Sequence, residues 1–126
     1  MKVCDVVLNS VWYDPRVRKQ IISYLDYGVE LCVVGAIDNR YDADKMSQIP
    51  CEVTLIDIPS SFKGKQKGIL RKLKREKIRE RNLYRAILEQ KPDIIHANDL
   101  DTLMPAYKAA KKLKCKQLLI NFLLLD

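Results

Sequence analysis

The sequence predicts an α/β fold: an open, mostly parallel sheet of about five strands in the order 3-2-1-4-5, with helices on both faces. Three observations predict it. Short β-branched runs recur along the chain: "VCDVVLN" (3–9), "ELCVVGA" (30–36), "EVTLIDI" (52–58), "DIIHA" (93–97) and "KQLLIN" (116–121). The stretches between them space their apolar residues as helices do, and strand–helix alternation is the pattern of a parallel sheet covered on both sides. The apolar fraction is 48% and the charged fraction 31% over 126 residues, which suits one core and one domain spanning residues 1–126.

Each crossover has its own signals. Asp14 is a natural N-cap with Pro15 at the first helical position. Val17, Ile21 and Leu25 follow at four-residue spacing, and Gly28 sits where a left-handed C-cap belongs. The second crossover, residues 38–50, is short and polar, with room for a turn or two of helix. A long helix is predicted over residues 68–90, closed by Pro92, and a last one after Asp101. Pro105 limits how early that last helix begins, because proline is tolerated best in a first turn.

With right-handed crossovers, the first three strands wind outward one way and the fourth returns to the other side of the first. Ligands of such sheets bind beyond the carboxyl ends of the strands at that switch point. Two polar clusters therefore fall side by side: "NSVWYDPR" (9–16) and "HANDLD" (96–101).

Their chemistry can be weighed residue by residue. Arg16, Arg18 and Lys19 occupy a first helical turn, where the macrodipole disfavours cations by about 0.3–1 kcal/mol each. An arginine beside free backbone N–H groups suits a phosphate or carboxylate, and pairing of Arg16 with Asp14 or Asp99 is the plainer alternative. His96 is the one histidine and reads as structural beside Ile94 and Ile95. Asn98 and Asp99, at the mouth of the fourth strand, suit contacts to sugar hydroxyls, whereas Asp101 or Thr102 is expected to cap the next helix. Asn9, Asp14, Arg16, Asn98 and Asp99 are the candidate substrate-binding residues, with His96 and Asp101 as structural or possible site residues.

Several classes lose support. There is no GxGxxG and no GxxxxGK[ST], and one histidine with scattered carboxylates makes no metal site. Cys4, Cys32, Cys51 and Cys115 are separated by 28, 19 and 64 positions, so no CxxC exists and all four read as reduced core thiols. No run approaches 18 apolar residues and no signal peptide is evident, which points to a cytoplasmic protein.

Charge is concentrated in one segment. Residues 60–91 hold 12 Lys or Arg against 3 Glu, a net of +9, while the rest of the chain has 11 against 13. Lys72, Arg75 and Arg79 fall on the cationic side of the predicted long helix, a surface suited to anionic membrane lipid at roughly 1 kcal/mol per basic residue. Nucleic acid is the weaker partner, because Phe62 lies just outside residues 63–81 and little aromatic surface is left for base stacking.

The opening "MKVCDVVLNSVWYDPRVRKQIISYLDYGVELCVVG" resembles the start of family 4 glycosyltransferases of the GT-B fold. The segment "KPDIIHANDLDTLMPAYKAAKKLKCKQLLI" is similar to their "PDVIHAHDxxTLPAGxxAAKxxGxKLVY". The two pieces cover about half of the chain in matching order. The resemblance implies a Rossmann-like N-terminal domain that binds a sugar or lipid-linked acceptor for glycan assembly. A second domain would bind the nucleotide sugar and supply the paired glutamates. No tightly bound cofactor is implied, and the donor would enter only with that second domain. By the resemblance, a chain of 126 residues is an acceptor-side half, inactive alone and open to self-association at an uncovered sheet edge.

Two departures stand out. Asn98 occupies a position where the family often has a histidine, so His96 does not inherit that role, and "INFLLLD" (120–126) replaces a "DSHE"-like stretch, reading as a truncation. The alternatives are a non-enzymatic α/β module for a phosphate-bearing ligand, or a basic nucleic-acid binder.

Overall fold

Strands and helices alternate throughout the described residues of the computed structural model: β1 (Lys2–Val6), α1 (Pro15–Asp26), β2 (Glu30–Ala36), α2 (Ala43–Met46), β3 (Glu52–Ile56), α3 (Ile69–Gln90), β4 (Ile94–Ala97), α4 (Leu100–Leu113) and β5 (Gln117–Ile120). The structure describes residues 1–8, 10–37, 40–57, 68–115 and 117–120. All strand pairs are parallel, in the order β3-β2-β1-β4-β5. The predicted order therefore holds, and β1 lies between β2 and β4.

Two-residue periodicity divides the sheet's side chains between two cores. Val3 and Val7 pack with Leu31, Val33, Val17 and Ile21 on the α1 face, and Met46 from α2 joins their margin. Cys4 and Val6 pack with Cys32, Val34, Ile95 and Ala97 on the opposite face, against Leu83, Ala86 and Ile87 of α3 and Ala106 and Ala109 of α4. Helices that accompany the outward winding thus lie on one face and those after the reversal on the other, as constant crossover handedness requires. Cys4 and Cys32 are register partners on β1 and β2, so these two free thiols meet in one core.

Local chemistry sets the helix ends. The Asp14 carboxylate accepts the Arg16 backbone N–H at 3.0 Å, Pro15 fills the first position, and Gly28 takes a φ of 75° just past α1, where its N–H reaches the Leu25 carbonyl. Lys91 closes α3 in a left-handed conformation ahead of Pro92. Two expectations change. α4 starts at Leu100, which puts Pro105 in its second turn, where the ring gives up one helical hydrogen bond. The cap residue is Asp99: its backbone N–H donates to Thr102 Oγ1 at 3.1 Å, and Thr102 N donates to the Asp99 carbonyl. Asp101 is not the cap; its exposed carboxylate instead pairs with Arg79 at 3.7 Å. The predicted strand ends at Asn9, Ile58, Lys116 and Asn121, and the tail beyond, lie outside the described residues.

One glycine is required by close approach. A Cβ on Gly35 of β2 would stand 2.9 Å from Val11 Cγ2 and 3.3 Å from both Leu55 Cδ2 and the Val7 carbonyl oxygen. Val11 is buried and β-branched, so it has few rotamers with which to yield. Gly35 is what lets the loop after β1 lie down on β2. Gly35→Ala is expected to destabilise the chain by about 1–3 kcal/mol, read as a lower urea midpoint with an unchanged m-value. A wild-type midpoint would show that the loop is not seated this way.

Candidate functional site

Beyond the carboxyl ends of β1 and β4 lies a polar network tied together by Asp99. Its carboxylate accepts the Leu8 N–H at 3.0 Å through Oδ2 and the Arg16 Nη2 donor at 3.4 Å through Oδ1. Arg16 also grips Asp14, with Nε at 3.3 Å from Oδ1 and Nη2 at 3.0 Å from Oδ2. Two carboxylates share one guanidinium, and these hydrogen bonds push the Arg16 pKa above its ordinary value. The cation that the sequence offered for a ligand is therefore engaged by Asp14 and Asp99, which also answers the unfavourable helix dipole.

Asn98 is 1% exposed and presents its side chain inward. Its Nδ2 donates to the Val6 carbonyl at 3.0 Å and, in a short contact, to Asp5 Oδ1, while Gln20 Nε2 donates to Asn98 Oδ1 at 2.8 Å. The Asn98 backbone N–H also donates to Val6 O, so this residue extends the β1–β4 ladder past the last strand position. His96 lies beside it on the α1 face, directly across from Asp5 in register. The Tyr24 hydroxyl is 2.7 Å from His96 Nδ1, and Asp5 Oδ1 is 3.9 Å from the same nitrogen. With the hydroxyl donating, the ring proton sits on Nε2.

Asp5 was passed over in the sequence because a single acid inside an apolar run carries no motif. It is fully buried, and its pKa is pushed up to about 7, chiefly by desolvation and further by the charges of Asp14 and Asp99. The Asn98 hydrogen bond and the Arg16 charge pull the other way. Burial, with Asp5 nearby, also raises the Tyr24 phenol to about 12, so it remains a donor at neutral pH. A carboxyl poised near neutrality, with the Tyr24 phenol and the His96 ring close by, can accept and hold a proton beneath the ends of β1 and β4. The signal that could have found it is register: period two places Asp5 and His96 on the same face once β1 and β4 are neighbours.

The structure brings Asp14, Arg16, Asn98 and Asp99 together, with His96 behind them, while Asn9 lies outside the described residues. Asp101 stands apart, toward α3. Of the three basic residues, Lys72 and Arg75 are exposed, whereas Arg79 is half-buried against Asp101. Among the described residues no group of His, Cys, Asp and Glu is placed to hold a metal ion, and no helix is long and apolar enough to cross a membrane.

No protein family and no curated protein matches the chain at the level of sequence. Among solved structures, the chain resembles a UGT transferase from Siraitia grosvenorii determined in complex with UDP, with a TM-score of 0.59 and 12% identity. That likeness covers 96% of this chain and 27% of the transferase, so the chain spans about a quarter of that protein, and at this identity the likeness speaks for the fold.

The raised pKa of Asp5 has a measurable sign. The fold holds this proton more tightly than the unfolded chain does, so the contribution of Asp5 to stability is complete below its ordinary range and is lost as pH climbs through about 7. Asp5→Asn keeps the shape and cannot ionise. Its melting temperature is expected to gain on wild type between about pH 4 and pH 7 and to keep a constant lead above that. A difference that stays flat across that window would place the Asp5 titration elsewhere.

Proposed function

We propose that the chain is the acceptor-binding N-terminal domain of a GT-B glycosyltransferase, serving transfer of a sugar from a nucleotide sugar to a glycan or lipid-linked acceptor. The observation that carries this reading is the parallel sheet in the order β3-β2-β1-β4-β5, alike over 96% of the chain to a UDP-bound sugar transferase. The two sequence segments similar to family 4 members include β1 and β4, the strands that meet at the switch point, and support the finer assignment. In this reading the donor belongs to a second domain, and the chain alone is inactive. The acceptor lies over the ends of β1 and β4. Asp14, Arg16 and Asp99 form its floor, and Asn9 is a further substrate-binding residue in this reading. Asn98 and His96 hold that floor from beneath.

Attachment to an anionic membrane surface accompanies the proposal. In α3, Ile69 is 75%, Leu70 62% and Leu73 49% exposed, next to the exposed cations Arg71, Lys72, Lys74, Arg75 and Lys77. Exposed apolar side chains flanked by cations over the first turns of α3 suit the headgroup boundary, at about 1 kcal/mol for each basic residue near the lipid.

Two measurements follow. When the chain is joined to a matched nucleotide-sugar domain, Asp99→Asn is expected to lower transfer by about 100-fold through a misplaced floor and to lower the melting temperature by the loss of the charge pairing with Arg16. Transfer at the wild-type rate would remove Asp99 from the site. Absence of transfer from every nucleotide sugar, alongside strong thermal stabilisation of the isolated chain by one small phosphate ester, would favour a ligand-binding module instead. Vesicles containing anionic lipid are expected to sediment the chain, and Lys72→Glu with Arg75→Glu to abolish this. Equal sedimentation with neutral vesicles would remove the electrostatic attachment.

A further inference from the structure

Among the described residues β3 is an edge strand, with β2 as its one neighbour. Ile37 N–H donates to the Ile56 carbonyl at 3.0 Å, so Ile56 and, by the two-residue period, Thr54 turn their main-chain groups toward β2. Val53 and Leu55 therefore point their N–H and C=O groups outward. This outward row stops at Asp57, whose carbonyl accepts Asn82 Nδ2 at 3.3 Å. Nothing within Glu52–Ile56 blunts the edge: the strand holds no lysine, arginine or proline, and its one charge is Glu52 at the start. Depressions flank it on both faces. One of about 490 Å³ is lined by Met46, Ile49, Val53 and Leu55, and one of about 270 Å³ by Thr54, Ile56, Asn82, Arg85 and Glu89.

The edge is complementary to itself. Two copies paired antiparallel about a twofold axis at Thr54 set Val53 of one across from Leu55 of the other, the two residues with outward main-chain groups. Each such pair exchanges both of its main-chain hydrogen bonds and joins apolar side chains on one face. Helix spacing agrees with this pairing. α3 packs across β2 and β3, and neighbouring strands lie about 4.8 Å apart, so a helix seated between the two stands about 5 Å from the axis. The α3 helices of two copies then run antiparallel about 10 Å apart, the separation of packed helices. Arg85 and Glu89 are exposed, lie one turn apart on α3 and border this edge. Reversal of the helix direction brings Arg85 of each copy beside Glu89 of the other. An extended peptide would take up the main-chain bonds alone, whereas the helix spacing and the paired charges fit a second copy.

We propose that β3 is the interface of a symmetric dimer, in which two copies of this chain pair antiparallel along residues 53–55 and the facing α3 helices exchange Arg85–Glu89 contacts. The interface is isologous, since each copy offers the same patch, and it joins the two sheets into one with the β3 strands at its centre. β2 separates it from β1, so the switch point between β1 and β4 stays outside the interface, and the dimer does not depend on the sugar-transfer reading.

Sedimentation equilibrium of the full chain is expected to show a mean mass that climbs toward that of a dimer as concentration rises. Arg85→Glu sets like charges together and is expected to weaken association at least about tenfold. Arg85→Glu with Glu89→Arg restores opposite charges and is expected to recover it. Both side chains are exposed, so these variants are expected to melt near wild type. Register is read by a separate measurement, because Thr54 meets its own copy at the axis. Thr54→Cys treated with oxidised glutathione is expected to give a covalent dimer well beyond the level of wild type or of Lys72→Cys, a site on the exposed first turns of α3. A monomer at every concentration, association that ignores Arg85→Glu or is not recovered by the double variant, or cross-linking no greater at position 54 than at position 72 overturns the proposal.

Discussion

The structure depends on how β1 and β4 are joined at their carboxyl ends. Parallel neighbours so far apart in sequence have no short turn to fix their register, so the register must be fixed by side chains and ladder bonds. Asn98 supplies both, donating its backbone N–H and its Nδ2 to the Val6 carbonyl. Asp99 adds a third tie through the Leu8 N–H. These contacts hold together the segments that follow β1 and β4, and Arg16 bridges them with a charge shared between Asp14 and Asp99.

The buried Asp5 follows from that junction. Register places it across from His96 and within reach of Asn98, while α1 contributes Gln20 and Tyr24 from above. Burying a carboxyl under two other carboxylates costs free energy, and the protein lowers that cost by letting the group keep its proton to about pH 7 and by giving it a hydrogen bond. The network is a polar layer inside an otherwise apolar face, and it lies directly beneath the region where open parallel sheets bind their ligands.

Positive charge is divided between two surfaces with different neighbours. On α3 the exposed cations stand beside exposed isoleucine and leucine, a composition that suits an extended, soft surface. Near the ends of β1 and β2, Arg18 rests against the Trp12 ring and Arg40 against the Tyr13 ring, while Lys45 donates to the Tyr13 hydroxyl.

By itself the sequence determined the helices and the strand order. Asp14, Pro15 and Gly28 bound α1 through capping and backbone chemistry that acts over a few residues, and Pro92 closes α3 in the same way. The alternation of strands and helices with constant handedness favours the order 3-2-1-4-5 among the few doubly wound ones, and that order places the clusters around Asp14 and Asp99 together. Tertiary structure alone decided what those residues touch. Asp99 took the cap expected of Asp101 or Thr102, with Thr102 as its partner, Asn98 turned into the sheet, Arg16 was shared between two acids, and Cys4 met Cys32. Asp5 gained its importance only when β4 arrived at its side. The physical reason is range: caps and turns are settled by neighbours along the chain, whereas the partner of a buried polar group is settled by register between segments some ninety residues apart.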